Sequence, residues 1–277
     1  MSKYSPELIL ALQEKATEMR KDIVTMVGCA GCGHPGGSLS AADIVAALYF
    51  NVMKHDPKNP KWEGRDRFVL SKGHASPVLY AALANAGYFP REELKTFRSI
   101  NSRLQGHPDR KKVPGVEFST GSLGQGLSGA NGMALAGKLD KKDYRVFCIL
   151  GDGESQEGQV WEAAMSAAHF GLDNLIAFTD QNGLQIDGLT CDIMNVEPLA
   201  DKWRAFNWNV IEIDGHDFSQ ILDATSDDAK VTGKPRMIVA KTIKGKGVSY
   251  MEGVCDWHGK APSDEQVQKA ICELCAG

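Results

Sequence analysis

Five short apolar runs, at residues 68–70, 146–150, 175–178, 210–213 and 237–240, alternate along this chain with stretches whose apolar residues recur at helical spacing. The runs are of strand length and mostly β-branched or aromatic, whereas the intervening stretches, at 7–27, 41–50, 76–86, 126–138, 160–170 and 218–230, are long enough for helices. Strands this continuously apolar are buried on both faces. The alternation therefore predicts an α/β fold, a parallel sheet with helices on both faces. No repeat, low-complexity tract or linker interrupts the pattern, so residues 1–277 read as a single domain. With 43% hydrophobic and 24% charged residues, a chain of this length can bury a large core.

A net charge of −4 leaves no basic excess for phosphate backbones, which argues against nucleic acid as a partner and means that any anionic ligand needs a local site. No stretch approaches the roughly 20 apolar residues that cross a bilayer, and the polar start Met1-Ser2-Lys3-Tyr4-Ser5-Pro6 has no apolar signal region behind it. The expected location is the cytoplasm. Seven scattered cysteines suit that compartment better than a secreted disulfide framework. Cys29/Cys32 and Cys272/Cys275 form two C-x-x-C pairs of the kind that bind zinc, but they lie far apart in sequence, and the second reads as two positions on the last turn of a C-terminal helix.

In such a sheet, ligands gather at the carboxyl ends of the strands. The run 146–150 leads directly into Gly151-Asp152-Gly153-Glu154-Ser155, and the run 175–178 into Thr179-Asp180-Gln181-Asn182-Gly183. Asp152 offers a carboxylate and Asn182 an amide oxygen, both hard donors suited to Mg2+, and the flanking glycines admit a bulky anion. An ordinary Asp-Gly turn beside a turn Asn is the plain alternative.

Gly151-Asp152-Gly153 followed by Asn182 resembles the thiamine diphosphate motif, in which the Asp and Asn hold the cofactor's Mg2+. Family members often end this motif Asn-Asn where this chain has Gln181-Asn182. Four further segments narrow the resemblance to transketolase: Gly33-His34-Pro35-Gly36-Gly37-Ser38, Leu70-Ser71-Lys72-Gly73-His74-Ala75, Gly106-His107-Pro108-Asp109 and Ser119-Thr120-Gly121-Ser122-Leu123-Gly124-Gln125-Gly126. Trp257-His258-Gly259 is a fifth. Deoxyxylulose-phosphate synthases share the first type of segment but lack the second and third.

The resemblance implies thiamine diphosphate and Mg2+ as cofactors, with Ca2+ or Mn2+ as substitutes for the metal. It places the metal on Asp152, Asn182 and the backbone carbonyl of Leu184. His74, His258, Gly121, Ser122, Leu123, Gly151, Gly153, Glu154 and Ile186 join Asp152 and Asn182 around the cofactor, with Ile186 packed against its ring. His34 and His107 bond the donor sugar near its carbonyl, and His74 and His258 touch diphosphate and substrate. Glu157 matches a carboxylate that couples to the activating glutamate of the opposing domain. The implied reaction is two-carbon ketol transfer from a ketose phosphate to an aldose or its phosphate.

Other residues read less sharply. His55 and His169 fit structural roles, His216 in Asp214-Gly215-His216-Asp217 leans the same way, and Glu162 reads as an acid stabilising a helix's first turn. The basic loop 241–247 either neutralises phosphate or stays solvated. Gly124-Gln125-Gly126-Leu127-Ser128-Gly129 matches G-x-G-x-x-G and raises an NAD-dependent dehydrogenase as an alternative, yet it follows no apolar strand and no acidic residue ends a second strand about 20 residues on. A homologue that binds no cofactor is the non-enzymatic alternative. Transketolases also carry pyrimidine-binding and C-terminal domains, for which the motifs between His34 and His258 leave no room. The expected partner is therefore a separately encoded C-terminal transketolase subunit, two copies of each chain forming the assembly, with sugar phosphates as substrates.

Overall fold

The computed structural model describes residues 3–276. α1 (Pro6–Ala30) starts where Ser5 Oγ accepts the Leu8 amide at 3.2 Å and Pro6 takes the first helical position; it ends at Gly31, whose φ of 62° is left-handed. The chain continues through α2 (Pro35–Ser40), α3 (Ala42–Ala47), β1 (Arg67–Leu70) and α4 (Ser76–Ala86) to α5 (Gln125–Leu139) and β2 (Val146–Gly151). Next come α6 (Gly158–His169), β3 (Leu175–Gln181), a small hairpin of β4 (Leu184–Gln185) and β5 (Gly188–Leu189), and the short helices α7 (Thr190–Ile193) and α8 (Leu199–Ala205). β6 (Asn209–Asp214), α9 (Phe218–Thr225), β7 (Arg236–Lys241) and α10 (Asp264–Ala276) complete it.

The main sheet has the order β1-β2-β3-β7-β6, and every pairing in it is parallel. Successive strand residues point to opposite faces and feed two separate cores. Phe68, Leu70, Phe147, Ile149, Phe178 and Ile238 pack with Ile23, Ile44, Val78, Ile221 and Leu274 from α1, α3, α4, α9 and α10. Val69, Val146, Cys148, Leu150, Ala177 and Val239 pack with Leu127, Val160 and Trp203 from α5, α6 and α8. Both faces are covered, as the continuous apolar runs require.

Three elements differ from the sequence expectation. Residues 41–50 are not one helix: the segment is divided at Ala41 between α2 and α3 and then passes into a π turn, Leu48–Val52. Gly36 allows this packing, since a Cβ there would lie 2.8 Å from the Trp257 carbonyl oxygen. The helix expected over 218–230 stops at Thr225, because Arg236 donates to the Ala224 and Ser226 carbonyls at 2.7 and 2.9 Å and so serves its open end. β3 runs past its apolar residues through Thr179, Asp180 and Gln181, so the register sets Gly151 beside Asp180 and Asp180 beside Ala240. That extension places polar side chains at the carboxyl edge.

Candidate active site

The carboxyl ends of β1, β2, β3 and β7 open into a cavity of about 360 Å3. Its lining draws on sequence-distant segments: His34 and Gly37 at α2, Lys72 and His74 after β1, Gly121 and Leu123 before α5, Gly151 to Glu154 with Glu157 after β2, Asn182 and Leu184 to Ile186 after β3, and Lys244 and His258 after β7. Two buried polar atoms of this lining, His34 Nδ1 and Gln185 Nε2, have no hydrogen-bond partner in the protein. A polar ligand would satisfy them.

Asp152 and Asn182 are oriented by backbone. Asp152 Oδ1 accepts the Gly153 amide at 2.7 Å and Oδ2 the Gly183 amide at 2.6 Å, while Asn182 Oδ1 accepts the Leu184 amide at 3.1 Å. Burial, seconded by the nearby Asp180 charge, pushes the Asp152 carboxyl up to about 6 despite those two amides. Lys244 Nζ donates to the Leu184 carbonyl at 3.2 Å and lies 2.9 Å from His258 Nδ1. Thus an ammonium group rests on a backbone carbonyl of the cavity lining, beside the hard oxygen donors of Asp152 and Asn182. Burial lowers Lys244 to about 8, with the Asp152 charge acting against it.

Beneath this layer lies an ionic floor. Asp180, fully buried, accepts from Lys72 Nζ and Ser40 Oγ on Oδ2 and from Thr242 Oγ1 on Oδ1. Burial opposes its charge, but Lys72 and the two hydroxyls keep the carboxyl below its usual range. Lys72 Nζ also donates to the Gly37 carbonyl at 2.6 Å, tying α2 to the sheet. Asn182 Nδ2 reaches the same Asp180 oxygen at 3.3 Å.

Three imidazoles meet at the other side of the cavity. The ring centroids of His34, His74 and His258 lie 5.1 to 5.4 Å apart. Burial lowers His34 to about 4 and His258 to about 3, and takes His74 well below its ordinary value, helped by the neighbouring cations. All three are neutral near pH 7 and can both give and accept hydrogen bonds. His107 lies against Gly121, where a Cβ would sit 3.1 Å from its ring, and it is lowered by partial burial and by Arg98.

The expected residues are thus mostly brought together, with distinctions that the sequence does not draw. Glu154 lines the cavity, but Ser71 Oγ and the Gly124 and Gly151 amides at 2.5, 2.9 and 3.1 Å engage both its oxygens, so it braces three segments. Ser122 and His107 are exposed and lie outside the cavity lining, and Glu157 is exposed at the start of α6 with no capping bond from its side chain. Ile186 is in the lining and 67% exposed. Of the basic loop, Lys244 is 2% exposed, so the solvated reading fails for that residue. Lys72, Asp180, Gln156 and Gln185 escape sequence reasoning; the one signal for Asp180 is a charge two positions after the last residue of an apolar run.

His55 Nε2 contacts the Tyr49 carbonyl at 2.6 Å, a structural role. Cys29, Cys272 and Cys275 are exposed, Cys32 donates to the Ala30 carbonyl at 3.4 Å, and among the described residues no three His, Cys, Asp or Glu side chains converge on a metal position. Nor, among those residues, is any helix long and apolar enough to cross a membrane.

Residues 12–275 match the family described as transketolase, thiamine diphosphate binding domain. The chain belongs to the transketolase family. It is 51% identical to the 6-deoxy-6-sulfo-D-fructose transketolase subunit SqwG of Clostridium sp. (strain MSTE9), over 95% of this chain and 96% of that subunit. It is 43% identical to one of the subunits of the apulose-4-phosphate transketolase of Phocaeicola vulgatus, over 95% and 93% of the two chains. The structure of transketolase from Campylobacter jejuni superposes with a TM-score of 0.90 at 38% identity, covering 96% of this chain and 43% of that one. The chain thus spans nearly all of two transketolase subunits and less than half of a longer transketolase. It is a transketolase-family N-terminal subunit whose domain binds thiamine diphosphate and serves ketol transfer. The dehydrogenase alternative falls with this, and the fold agrees: the glycine segment enters α5 from an irregular loop, and Gly126 serves close packing, because a Cβ there would lie 2.6 Å from Ser71 Cα.

Proposed function

We propose that this chain supplies the diphosphate and metal side of a two-chain transketolase, while a separately encoded subunit contributes the pyrimidine-binding and C-terminal domains. Two copies of each make the cytoplasmic assembly. Relatives of nearly equal length named as transketolase subunits support the division. What supports the site is that Asp152, Asn182 and Leu184 line one cavity, with the Lys244 ammonium resting on the Leu184 carbonyl.

Bound thiamine diphosphate supplies the electron sink that lets a carbon–carbon bond beside a carbonyl break and re-form. Asp152, Asn182 and the Leu184 carbonyl hold Mg2+, their three oxygens matching a hard cation. Mn2+ or Ca2+ replaces it. Gly151 and Gly153 let the diphosphate approach the backbone, and Lys244 and His74 face its charge. His34, His107 and His258, neutral near pH 7, hold or move a proton at the oxygens of the sugar. Gly121, Leu123 and Ile186 border the thiamine, and Glu157 waits at the exposed rim for the partner's carboxylate.

The substrates are a ketose phosphate donor and an aldose acceptor. The 51% identity to the sulfofructose subunit favours a second reading, in which the donor carries a sulfonate instead of a phosphate. Both are tested by reconstituting the pair and assaying xylulose 5-phosphate with ribose 5-phosphate against 6-deoxy-6-sulfofructose. Titration calorimetry with thiamine diphosphate and Mg2+ tests the site itself. An assembled pair that binds no cofactor would overturn the assignment.

A further inference from the structure

On the far side of the loop that bears Lys244 lies a buried cluster that the cofactor site does not include. Asp43 Oδ2 accepts from Arg20 NH2 at 2.5 Å and faces His216 Nδ1 at 2.7 Å. The side chains of Arg20, Asp43 and His216 are 9%, 7% and 13% exposed. Both outward-facing ends of this triad grip one turn. The Ile243 amide donates to His216 Nε2 at 2.9 Å, and Arg20 Nε donates to the Lys246 carbonyl at 3.1 Å.

A backbone amide can only donate, so Nε2 is the acceptor and the ring proton sits on Nδ1, directed at Asp43. That tautomer needs Asp43, whose charge needs Arg20. Asp43 is buried, which works against its ionised form, but the Arg20 guanidinium and the His216 bond hold its carboxyl below the usual range. The glycine of Asp214-Gly215-His216-Asp217 is required by the same contact: a Cβ on Gly215 would lie 2.5 Å from Thr242 Cγ2 and 3.0 Å from the Lys241 carbonyl oxygen. Between the two gripped atoms stands Lys244, and the Gly245 amide donates to the Gly36 carbonyl at 3.0 Å.

We propose that Arg20, Asp43 and His216 are positioning residues which clamp the turn 243–246 and thereby aim Lys244 at the Leu184 carbonyl and His258. This rests on the reading of Lys244 as a diphosphate contact, but the clamp itself is a property of the chain without cofactor.

The test uses the full chain with His216→Ala, His216→Gln, Lys244→Ala and the His216→Ala/Lys244→Ala pair. In the cofactor-free chain, His216→Ala should speed amide exchange at residues 242–246 by about tenfold, the scale of one lost hydrogen bond, with β2 and β3 unchanged. His216→Gln, whose amide can accept from Ile243 and donate to Asp43, should restore it. In the assembled pair, His216→Ala should raise the dissociation constant of thiamine diphosphate with Mg2+ about tenfold, and add nothing once Lys244 is already Ala. Unchanged exchange at 242–246, exchange raised equally across the sheet, or additive effects in the double variant would each overturn the proposal. If the wild-type pair binds no cofactor, the functional reading fails while the exchange result still decides the clamp.

Discussion

Asp152 is a carboxylate 2% exposed, steadied by two backbone amides and short of a full counter-charge, and its raised protonation range follows from that burial. A divalent cation removes the conflict. Asp152→Ala should therefore weaken cation-dependent thiamine diphosphate binding by about 100-fold or more, the scale of losing a charged ligand, as read by calorimetry. Because the proton on Asp152 must leave before a metal enters, affinity should hold above pH 6 and fall by roughly tenfold per unit below it. Titrations at pH 7, 6 and 5 check this, and a flat profile would mean that Asp152 is not a ligand. Asp152 and Asn182 were legible in the sequence through their resemblance to the thiamine diphosphate motif, since the residue types alone also fit an ordinary Asp-Gly turn beside a turn Asn. Asp180 and Lys72 were not, since their pairing crosses from β1 to β3 and neither residue type implies a burial near zero.

At the scale of elements, α5 shows two kinds of glycine. Gly126 is pressed against β1's end, with Ser71 Cα 2.6 Å from an added Cβ, whereas Gly132 on the same helix has nothing within 4 Å. Gly126→Ala should destabilise the isolated chain by about 1–3 kcal/mol through forced separation. Gly132→Ala should stabilise it by roughly 0.4–1 kcal/mol by restricting the unfolded chain. Denaturant melts of both variants provide the comparison, and equal effects would refute the packing argument. Helices and strands with a clean period were legible: α4 has the expected bounds, and each main-sheet strand contains its apolar run. The segment Pro35–Ser40 was not, because two glycines after a proline signal a loop, and only its docking against Trp257 and Lys244 makes it helical. Likewise β3's polar tail became strand because β2 and β7 flank it with free ladder positions.

The whole molecule gathers three depressed imidazoles, and that has a consequence for its acid stability. In the unfolded chain His34, His74 and His258 titrate near 6.5; folded, they do so at about 4, well below, and at about 3. As pH falls below 6.5 the unfolded state binds more protons, so stability that is complete above that value is progressively lost. Asp152 acts in the opposite sense between pH 6 and 3.8, where the folded form holds the extra proton, and offsets part of the loss. The melting temperature of the cofactor-free chain should accordingly drop between pH 7.5 and 5, and a rise on acidification would contradict the neutral histidine cluster. What the sequence by itself determined was the layered α/β architecture and the residue types that could meet a phosphorylated cofactor, because side-chain period and strand-end chemistry are local properties. The tertiary structure decided which polar groups line the cavity and which serve as braces. Glu154, Asp180 and His216 look no different from Asp152 or His34 along the chain. Burial and the partners delivered by distant segments separate them, and those arise only when the sheet's strands are in register.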